Sequence, residues 1–501
     1  MAPGATELTA LLAQAATHPP LTFGPIGPEL FLVGAAIVLM LLDALAPTDD
    51  QRPAVLLALA GVAGAAAWSI HLWFWKGPAT VLGGMVAVDR FTVFFRLVLL
   101  GVAGIAILLS YQYLDRAHEA RGEYYPLLLF ATTGMTLITA AADLILVFLA
   151  LEVLSLSLYL LTGFSFRRLA SAEASMKYFL LGAFSSAFFL YGIALAYGAT
   201  GTTNIAAIEA KLSTHGGTSA LALGAAGLLA VGFLFKVSAA PFHMWTPDAY
   251  QGAPTCVTAF MSAGTKVAAF GAFLRVFMVA FAHFSVDWTP FIYVIAAISI
   301  VLGSVVAIAQ SNVKRMLAYS SVAHAGFILV GLTAANQRGV QAAMFYLAAY
   351  AATIIGAFGI VELVSVRGEG NLRLSSYSGL ARRNPFAGAV LALFLLSLAG
   401  IPPTAGFIAK VSVFSAAIEA GHWPLVLLGV LGSVVAAFFY IRVIVLMYMS
   451  EYLPEPGDVA GFERAPVARV AILIPAGVTL LFGVLPGILF GFLRSASVVR
   501  F

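Results

Sequence analysis

The sequence predicts an all-α, polytopic membrane protein, and its composition and the lengths of its apolar segments both indicate this class. Of the 501 residues, 61% are hydrophobic and only 10% are charged, and the mean hydropathy is +1.00. Apolar segments recur along the chain at about the 20 residues that a helix needs to cross a bilayer. No segment has the composition of a soluble domain, and the net charge of +4 does not indicate a nucleic-acid partner.

Fourteen membrane-spanning helices are predicted, each bounded by charged residues, Pro or Gly. They cover approximately residues 28–46, 54–75, 91–111, 125–141, 144–164, 177–198, 219–239, 255–281, 290–310, 314–334, 341–364, 386–418, 424–449 and 468–492. An even number places both termini on the same side of the membrane. The segment 204–212 has apolar residues on one face, and we expect it to form a short surface helix.

Basic residues in the predicted loops are distributed unevenly between the two sides. The side opposite the termini holds thirteen of them: Arg52, Arg116, Arg121, Arg167, Arg168, Lys314, Arg315, Arg367, Arg373, Arg382, Arg383, Arg464 and Arg469. The side of the termini holds six: Lys76, Arg90, Lys211, Arg338, Arg494 and Arg500. Because basic loops stay in the cytoplasm, we expect both termini to face the outside.

The chain also matches itself at a separation of 168 residues. Four matches keep this register: Gly163 with Gly331, Tyr178 with Tyr346, Gly264 with Gly432, and Val-Ala-Ala-Phe at 267–270 with 435–438. The fourth to eighth and the ninth to thirteenth spans are therefore candidate repeats of five helices. An odd number of helices makes the second repeat enter the membrane from the opposite side, so the repeats are predicted to be inverted.

These patterns predict a single membrane domain, 1–501, with four parts. Three N-terminal helices occupy 28–111, the first repeat 125–281, the second repeat 290–449, and one C-terminal helix 468–492.

Each predicted repeat contains one helix that proline interrupts. Pro241 lies in the seventh span, and Pro402 and Pro403 lie in the twelfth. Proline lacks a donor and leaves a carbonyl free, which membrane helices tolerate where the break lines a cavity or a polar interior. A simple kink is the alternative interpretation. A lysine within two turns of each break, Lys236 before the first and Lys410 after the second, favours a polar interior.

Six ionisable side chains are predicted at membrane depth: Glu152, Lys177, Lys236, Lys266, His324 and Lys410. A charge at the bilayer centre costs about 2.5–3.5 kcal/mol even on the lenient insertion scale, so these groups must face one another or water. A buried proton or ion path is the hypothesis that follows. For Lys177, a position close enough to the headgroups for its ammonium to reach them remains an alternative. For His324, a hydrogen-bonded core histidine is the alternative.

No cofactor or metal site is expected within the chain. Cys256 is the only cysteine, which excludes an internal disulfide and any cluster held by several cysteines of this chain. Motifs for nucleotide binding or zinc hydrolysis are missing, and the glycine-rich stretch 224–232 lies inside an apolar helix. No cleavable signal is evident before the first apolar segment.

Two segments resemble one known family. The stretch 235–255, which includes Lys236, Pro241, His243, Asp248 and the run Tyr-Gln-Gly-Ala-Pro, is similar to the signature of the antiporter-like membrane subunits of respiratory complex I. The segment 400–410, Gly-Ile-Pro-Pro-Thr-Ala-Gly-Phe-Ile-Ala-Lys, fits the same family. The resemblance extends over essentially the whole chain.

The resemblance implies a proton-translocating subunit in the membrane arm of NADH:quinone oxidoreductase, in the bacterial inner membrane. Glu152 and Lys177 would match the carboxylate and the lysine that modulates it, Lys236 the lysine beside the first break, Lys266 and His324 the central axis, and Lys410 the outer lysine. The partners implied are neighbouring antiporter-like and small membrane subunits, with lipids around them. Flavin, iron–sulfur clusters and quinone chemistry would belong to other subunits.

Two other classes remain open from the sequence. A subunit of an Mrp-type cation/proton antiporter would share the inverted repeats and buried charges, although the Tyr-Gln-Gly-Ala-Pro and Gly-Ile-Pro-Pro segments disfavour it. A non-pumping scaffold would use the buried charges only to hold helices together. Copurification with NADH:quinone activity would favour the complex I subunit, and sodium-dependent transport without that activity would favour the antiporter.

Overall fold

The computed structural model describes residues 23–46, 50–77, 79–214, 220–365, 369–370, 372–451 and 465–497. These residues form nineteen α-helices and one antiparallel hairpin of two strands. The helices are α1 (Gly27–Leu45), α2 (Arg52–Leu72), α3 (Arg90–Ala117), α4 (Tyr124–Ala140), α5 (Leu144–Thr162), α6 (Leu169–Thr200), α7 (Ile205–Thr214), α8 (Ala220–Lys236), α9 (Trp245–Gly252), α10 (Thr255–Val279), α11 (Ser285–Ile308), α12 (Val313–Thr333), α13 (Gln337–Val364), α14 (Leu380–Arg383), α15 (Pro385–Ala399), α16 (Ala405–Glu419), α17 (Trp423–Met449), α18 (Pro466–Val484) and α19 (Pro486–Ala496). The strands are β1 (Thr80–Val81) and β2 (Val86–Ala87).

The all-α membrane fold is confirmed. Within the described ranges, eleven helices are long and apolar enough to cross a membrane, and α4, α8 and α15 are shorter apolar helices. Every predicted span coincides with a helix or a pair of helices, and α7 lies where the short surface helix was expected. The number of membrane crossings, the division into repeats and the four parts of the domain stay predictions.

Two predicted boundaries differ from the structure. Helix α6 begins at Leu169 and not near residue 177, because Ser171 and Ser175 pack against α5 and donate hydrogen bonds of 2.7 Å to the carbonyls of Thr162 and Tyr159. The predicted C-terminal helix 468–492 is two helices, α18 and α19. Pro486 lacks an N–H and restricts Leu485 before it, so the first helix ends at Val484.

Both proline-containing spans are interrupted, as predicted. Helix α8 ends at Lys236 and α9 starts at Trp245, whose indole N–H donates a 2.9 Å hydrogen bond to the carbonyl of Phe235. In the second break, α15 ends at Ala399 and α16 starts at Ala405. At the first break, the indole of Trp245 therefore satisfies a carbonyl that the end of α8 leaves free. The peptide bonds before Pro241 and Pro403 are cis.

Loops that the sequence assigns to one side of the membrane meet at one end of the bundle, called here the basic end. Arg116 lies 3.4 Å from Glu362, and Lys314 lies 2.8 Å from Glu369. Asn312 forms an isolated bridge with Arg373. These contacts agree with the predicted grouping of the loops. Of the basic residues counted above, Arg367, Arg464 and Arg500 lie outside the described residues.

Three helices form the centre of the bundle. The most apolar windows of α10, α12 and α13 are 100%, 94% and 94% buried, whereas those of α6 and α17 are only 33% buried. Polar side chains on α10, α12 and α13 are thus shielded from lipid by the protein itself, which is the arrangement that a buried ionisable group needs.

Candidate functional site

Lys266 and His324 lie at the same depth in the bundle. Lys266 follows the first residue of α10 by eleven positions (266 − 255), and His324 follows the first residue of α12 by eleven (324 − 313). Both helices start at the basic end, so a rise of 1.5 Å per residue places both side chains about 16 Å from it, near the middle of a roughly 30 Å hydrocarbon core. They are 2% and 4% exposed.

Lys266 contacts α12 and α13 directly. Its ammonium donates a short hydrogen bond to the backbone carbonyl of Ser321, one turn before His324. The same nitrogen lies 5.3 Å from the ring centre of Tyr350. The His324 and Tyr350 rings are 5.1 Å apart. One aromatic side chain therefore links the lysine to the histidine.

His324 has a hydrogen-bond partner on each ring nitrogen. Nδ1 lies 2.8 Å from the hydroxyl of Tyr346, and Nε2 lies 3.2 Å from the hydroxyl of Tyr440, which also contacts Ser320. A tyrosine hydroxyl can donate and accept, so either neutral tautomer and the cation can be accommodated. This arrangement is compatible with the predicted relay and also with the alternative of a hydrogen-bonded core histidine.

Lys410 lies near His324, with the ring of Phe327 in contact with both. Its ammonium donates to the carbonyl of Ala399 at 2.8 Å and to the hydroxyl of Ser433 at 2.6 Å. It also lies 4.8 Å from the ring centre of Phe327, and that ring is 5.9 Å from His324. The helix break supplies the carbonyl, because Ala399 is the last residue of α15.

A small cavity lies between His324 and the helices at the second break. Its volume is about 10 Å³, and it is lined by His324, Tyr346, Ala349, Tyr350, Thr353, Ser397, Leu398, Gly406 and Ala409. One water needs roughly 10–15 Å³ and two to four polar partners. The accessible wall of this cavity is apolar, and both nitrogens of His324 already have tyrosine partners, so the cavity does not offer a water those contacts.

Lys236 and Glu152 form a second part of the site. The Lys236 ammonium lies 5.6 and 5.3 Å from the ring centres of Tyr159 and Tyr178, and it has no hydrogen-bond partner among the described residues. Glu152 is on the same face of α5 as Tyr159 and accepts a 2.5 Å hydrogen bond from Ser186. Tyr159 therefore lies near both ionisable groups.

Lys177 is separate from the other predicted residues. Its side chain is 46% exposed and lies 2.7 Å from Glu173 and 3.0 Å from Asp248. Arg315 lies 2.7 Å from the other oxygen of Asp248. These groups border a polar cavity of about 190 Å³ between α6 and α9. The structure thus gives Lys177 partners in α6 and α9, and pairs Glu152 with Ser186 on α6.

The contacts of the two broken-helix lysines support the predicted repeat. Tyr159, beside Lys236, and Phe327, beside Lys410, are 168 residues apart (327 − 159). Tyr178 and Tyr346, which match in the same register, contact Lys236 and His324, respectively. An aromatic ring thus lies beside the lysine at each break, at positions that the 168-residue register relates.

The sequence reasoning missed the aromatic and hydroxyl groups that connect the site. The sequence does not mark Tyr350 or Tyr440 as functional residues, because a tyrosine in an apolar helix looks like a core residue. The repeat register did mark Tyr178 and Tyr346, without giving them a role. Several buried polar atoms have no protein partner among the described residues: Tyr178 OH, Thr265 Oγ1, Ser321 Oγ and Tyr350 OH. Among those same residues, no group of three or more His, Cys, Asp or Glu is arranged to hold a metal ion.

Comparison with known proteins gives one family. Residues 141–436 match the family model described as NADH:quinone oxidoreductase/Mrp antiporter, TM. The chain is 43% identical over 471 residues to the NADH-quinone oxidoreductase subunit N of Trichlorobacter lovleyi, covering 94% of this chain and 96% of that relative.

Two solved structures have the same fold. A chain of respiratory complex I from Thermus thermophilus with bound aureothin has a TM-score of 0.76 at 35% identity, and the match covers 93% of this chain and 98% of that one. A chain of the Mrp complex from Dietzia sp. DQ12-45-1b has a TM-score of 0.83 at 22% identity, covering 95% and 97%. The second likeness shows the fold alone.

Gly400 is predicted to be required for the position of Lys410. A Cβ at Gly400, whose φ is +84°, would lie 2.8 Å from Cδ of Lys410, whereas Gly421 has the same φ and open space around it. Both substitutions to alanine place a side chain in the left-handed region, at about 1–2 kcal/mol. Only Gly400→Ala adds a clash, worth roughly 1–3 kcal/mol more. We expect Gly400→Ala to lower the thermal unfolding midpoint of the purified protein further than Gly421→Ala; equal midpoints would contradict the contact.

Proposed function

The chain belongs to the family of subunit N of the NADH-quinone oxidoreductases, and on that premise we propose that it moves protons across the membrane through its buried lysines and histidine. The subunit is part of an oxidoreductase complex, and its own contribution is translocation without redox chemistry. The observation that carries the proposal is the contact series from Lys266 through Tyr350, His324 and Phe327 to Lys410 in the middle of the bundle.

The chemistry of these side chains suits proton transfer. A lysine or histidine buried in a poorly polarisable interior can lose its proton, and a neighbouring charge changes how readily it does so. Hydroxyls of Tyr346 and Tyr440 on the two nitrogens of His324 can donate and accept in turn. The unpartnered hydroxyls near Lys266 are places where ordered water would complete the chain, because buried polar groups bond to protein or to water.

The driving signal is proposed to arrive at α5 and α6. Exposed apolar side chains cover the lateral surface beside Glu152, including Leu149 at 51%, Leu156 at 52% and Phe184 at 65%. Lipid or a neighbouring membrane subunit can cover such side chains, and the proposal places a subunit here. Quinone reduction elsewhere in the complex would change the charge facing Glu152, and Glu152 would pass that change to Lys236 past Tyr159. Lys177 would act through Asp248.

The proposed assembly contains other membrane-arm subunits of the complex, with lipids on the remaining lateral surface and no cofactor within this chain. An Mrp-type antiporter subunit is the weaker alternative, because the structural likeness to the Mrp chain shows only a shared fold, whereas the 43% identity is to an oxidoreductase subunit. A pure scaffold does not explain why two buried lysines, Lys266 and Lys410, each lie one aromatic ring away from the same histidine.

Replacing Lys410 tests the path. Lys410→Arg keeps the charge but cannot release a proton at accessible pH, so we expect proton translocation per NADH oxidised to fall. Lys410→Glu is expected to keep part of it, because a buried carboxyl group can exchange protons. The measurement uses membranes with matched amounts of assembled complex, and Lys211→Arg on the exposed face of α7 is the control. Full translocation by Lys410→Arg would remove Lys410 from the path.

The orientation of the protein in the membrane can be tested by labelling introduced cysteines. The excess of basic residues predicts that the basic end faces the cytoplasm and that both termini face outside. A cysteine introduced at Arg382 should react with a membrane-impermeant maleimide only from the cytoplasmic side, and one at Arg494 only from outside. Native Cys256 is fully buried and provides the background measurement. Labelling with the two sides exchanged would reject the proposed direction of transport.

A further inference from the structure

A single loop carboxylate joins several elements at the basic end. Glu369 follows α13, and its side chain is only 2% exposed. Its oxygens accept hydrogen bonds from the backbone N–H of Thr255 at 2.5 Å, from the hydroxyl of Thr255 at 2.8 Å, from the hydroxyl of Tyr113 at 2.9 Å and from the ammonium of Lys314 at 2.8 Å. The guanidinium of Arg168 lies 4.0 Å away.

We propose that Glu369 is a positioning residue that fixes the starts of α10 and α12 relative to each other, and so keeps Lys266 beside Ser321 and His324. This role rests on the proposed function, because its consequence is a change in proton transfer between residues that Glu369 does not touch.

The start of α10 depends on Glu369 directly. Thr255 is the first residue of that helix, and the first N–H groups of a helix have no partner within it. A carboxylate that accepts from such an N–H satisfies the donor and also complements the positive end of the helix dipole. Both oxygens further accept from the Thr255 hydroxyl, which fixes the first turn of α10.

The start of α12 is held by the same carboxylate through Lys314. The Lys314 ammonium lies between Glu369, at 2.8 Å, and the carbonyl of Ala253, at 2.6 Å, just before α10. The chain after Glu369 is also hydrogen-bonded to the start of α12. The N–H of Val313 donates to the carbonyl of Leu372 at 2.9 Å, and the N–H of Leu374 donates to the carbonyl of Ser311 at 2.8 Å. Lys314 is fully buried, so its charge needs this partner.

The backbone at Glu369 is held in an unfavourable conformation. Its φ is +85°, in the left-handed region that non-glycine residues rarely adopt. Such a conformation persists only where surrounding contacts determine it. Here the side chain accepts from three other elements, so the contacts that place Glu369 are the ones that join α3, α10 and α12.

A shift at the basic end reaches the middle of the membrane because α10 and α12 are continuous helices from Thr255 to Lys266 and from Val313 to His324. Loss of the carboxylate charge would leave Lys314 buried beside Arg168 without its counter-ion. The start of α12 would then be joined to the start of α10 only through the bond from Lys314 to the carbonyl of Ala253, and repulsion from Arg168 would displace Lys314. In catalysis, a misplacement of 1 Å can slow a reaction by about 10²-fold.

The charges around Glu369 favour its ionised form. Burial raises the pKa of Glu369, but Lys314, Arg168 and the hydrogen bonds from Lys314 and Thr255 outweigh it and hold that pKa below its ordinary value. The other titratable groups around it are Tyr113, Cys256, Glu362 and Tyr377. Because the folded-state pKa is lowered, the stability that Glu369 contributes is complete above the ordinary glutamate value of about 4.3 and is lost only below it.

The test compares Glu369→Gln with Glu451→Gln, the same change at an exposed loop glutamate. Glu369→Gln keeps an acceptor for Thr255 but removes the charge that Lys314 needs. In membranes with matched amounts of assembled complex, we expect proton translocation per NADH oxidised to fall for Glu369→Gln, within the limit of about 10²-fold for a 1 Å misplacement, and to stay at the wild-type value for Glu451→Gln. A fall in the amount of complex with an unchanged ratio of protons to NADH would overturn the proposal.

Two further variants, Glu369→Asp and Lys410→Arg, decide whether the positioning role or the proposed function has failed. If Glu369→Gln does not assemble, Glu369→Asp, which keeps the charge but is one methylene shorter, is expected to assemble and to translocate fewer protons per NADH; a wild-type ratio would reject the role. If Lys410→Arg pumps normally, the proposed function fails; if Lys410→Arg fails to pump and Glu369→Gln pumps fully, only the positioning role fails.

Discussion

A lysine in the middle of a bilayer has to be solvated by the protein around it, and the packing of this bundle follows from that requirement. Lys266 is 2% exposed and lies about halfway through α10, the helix with the most deeply buried apolar window. Its ammonium is satisfied by the carbonyl of Ser321 and the face of Tyr350. The surrounding helices must therefore bring carbonyls, hydroxyls and aromatic rings to one depth.

The helix breaks and the loops at the basic end serve the same requirement. Where α15 stops, the carbonyl of Ala399 becomes available to Lys410, and Gly400 leaves room for the lysine side chain. At the basic end, Glu369 satisfies Lys314 and the first N–H of α10 together. Two buried lysines, Lys410 and Lys314, are thus held in part by carbonyls at the ends of helices, as expected where no bulk water is present.

Much of the architecture could be predicted, because the hydropathy of a segment and the effect of proline on a helix depend only on residues that are close in sequence. The apolar stretches coincide with the long apolar helices, and Pro241 and the pair at 402–403 lie at the two breaks. The start of α6 was wrong because the bonds of Ser171 and Ser175 to α5 are tertiary. Tyr440 lies 116 residues from His324, and Glu369 looks like any solvated loop glutamate, so no local pattern could reveal either contact. The roles of the six predicted residues stay proposals.

The most direct test of the account is proton translocation per NADH oxidised by a complex that carries Lys266→Met. Methionine keeps the apolar stem and the approximate volume but removes the ammonium between Ser321 and Tyr350. Lys211→Met, on the exposed face of α7, is the matched control. The account predicts that Lys266→Met assembles, that its ratio of protons to NADH falls, and that the control keeps the wild-type ratio. An assembled Lys266→Met complex with the wild-type ratio would show that protons do not pass through this residue, and would contradict the central claim.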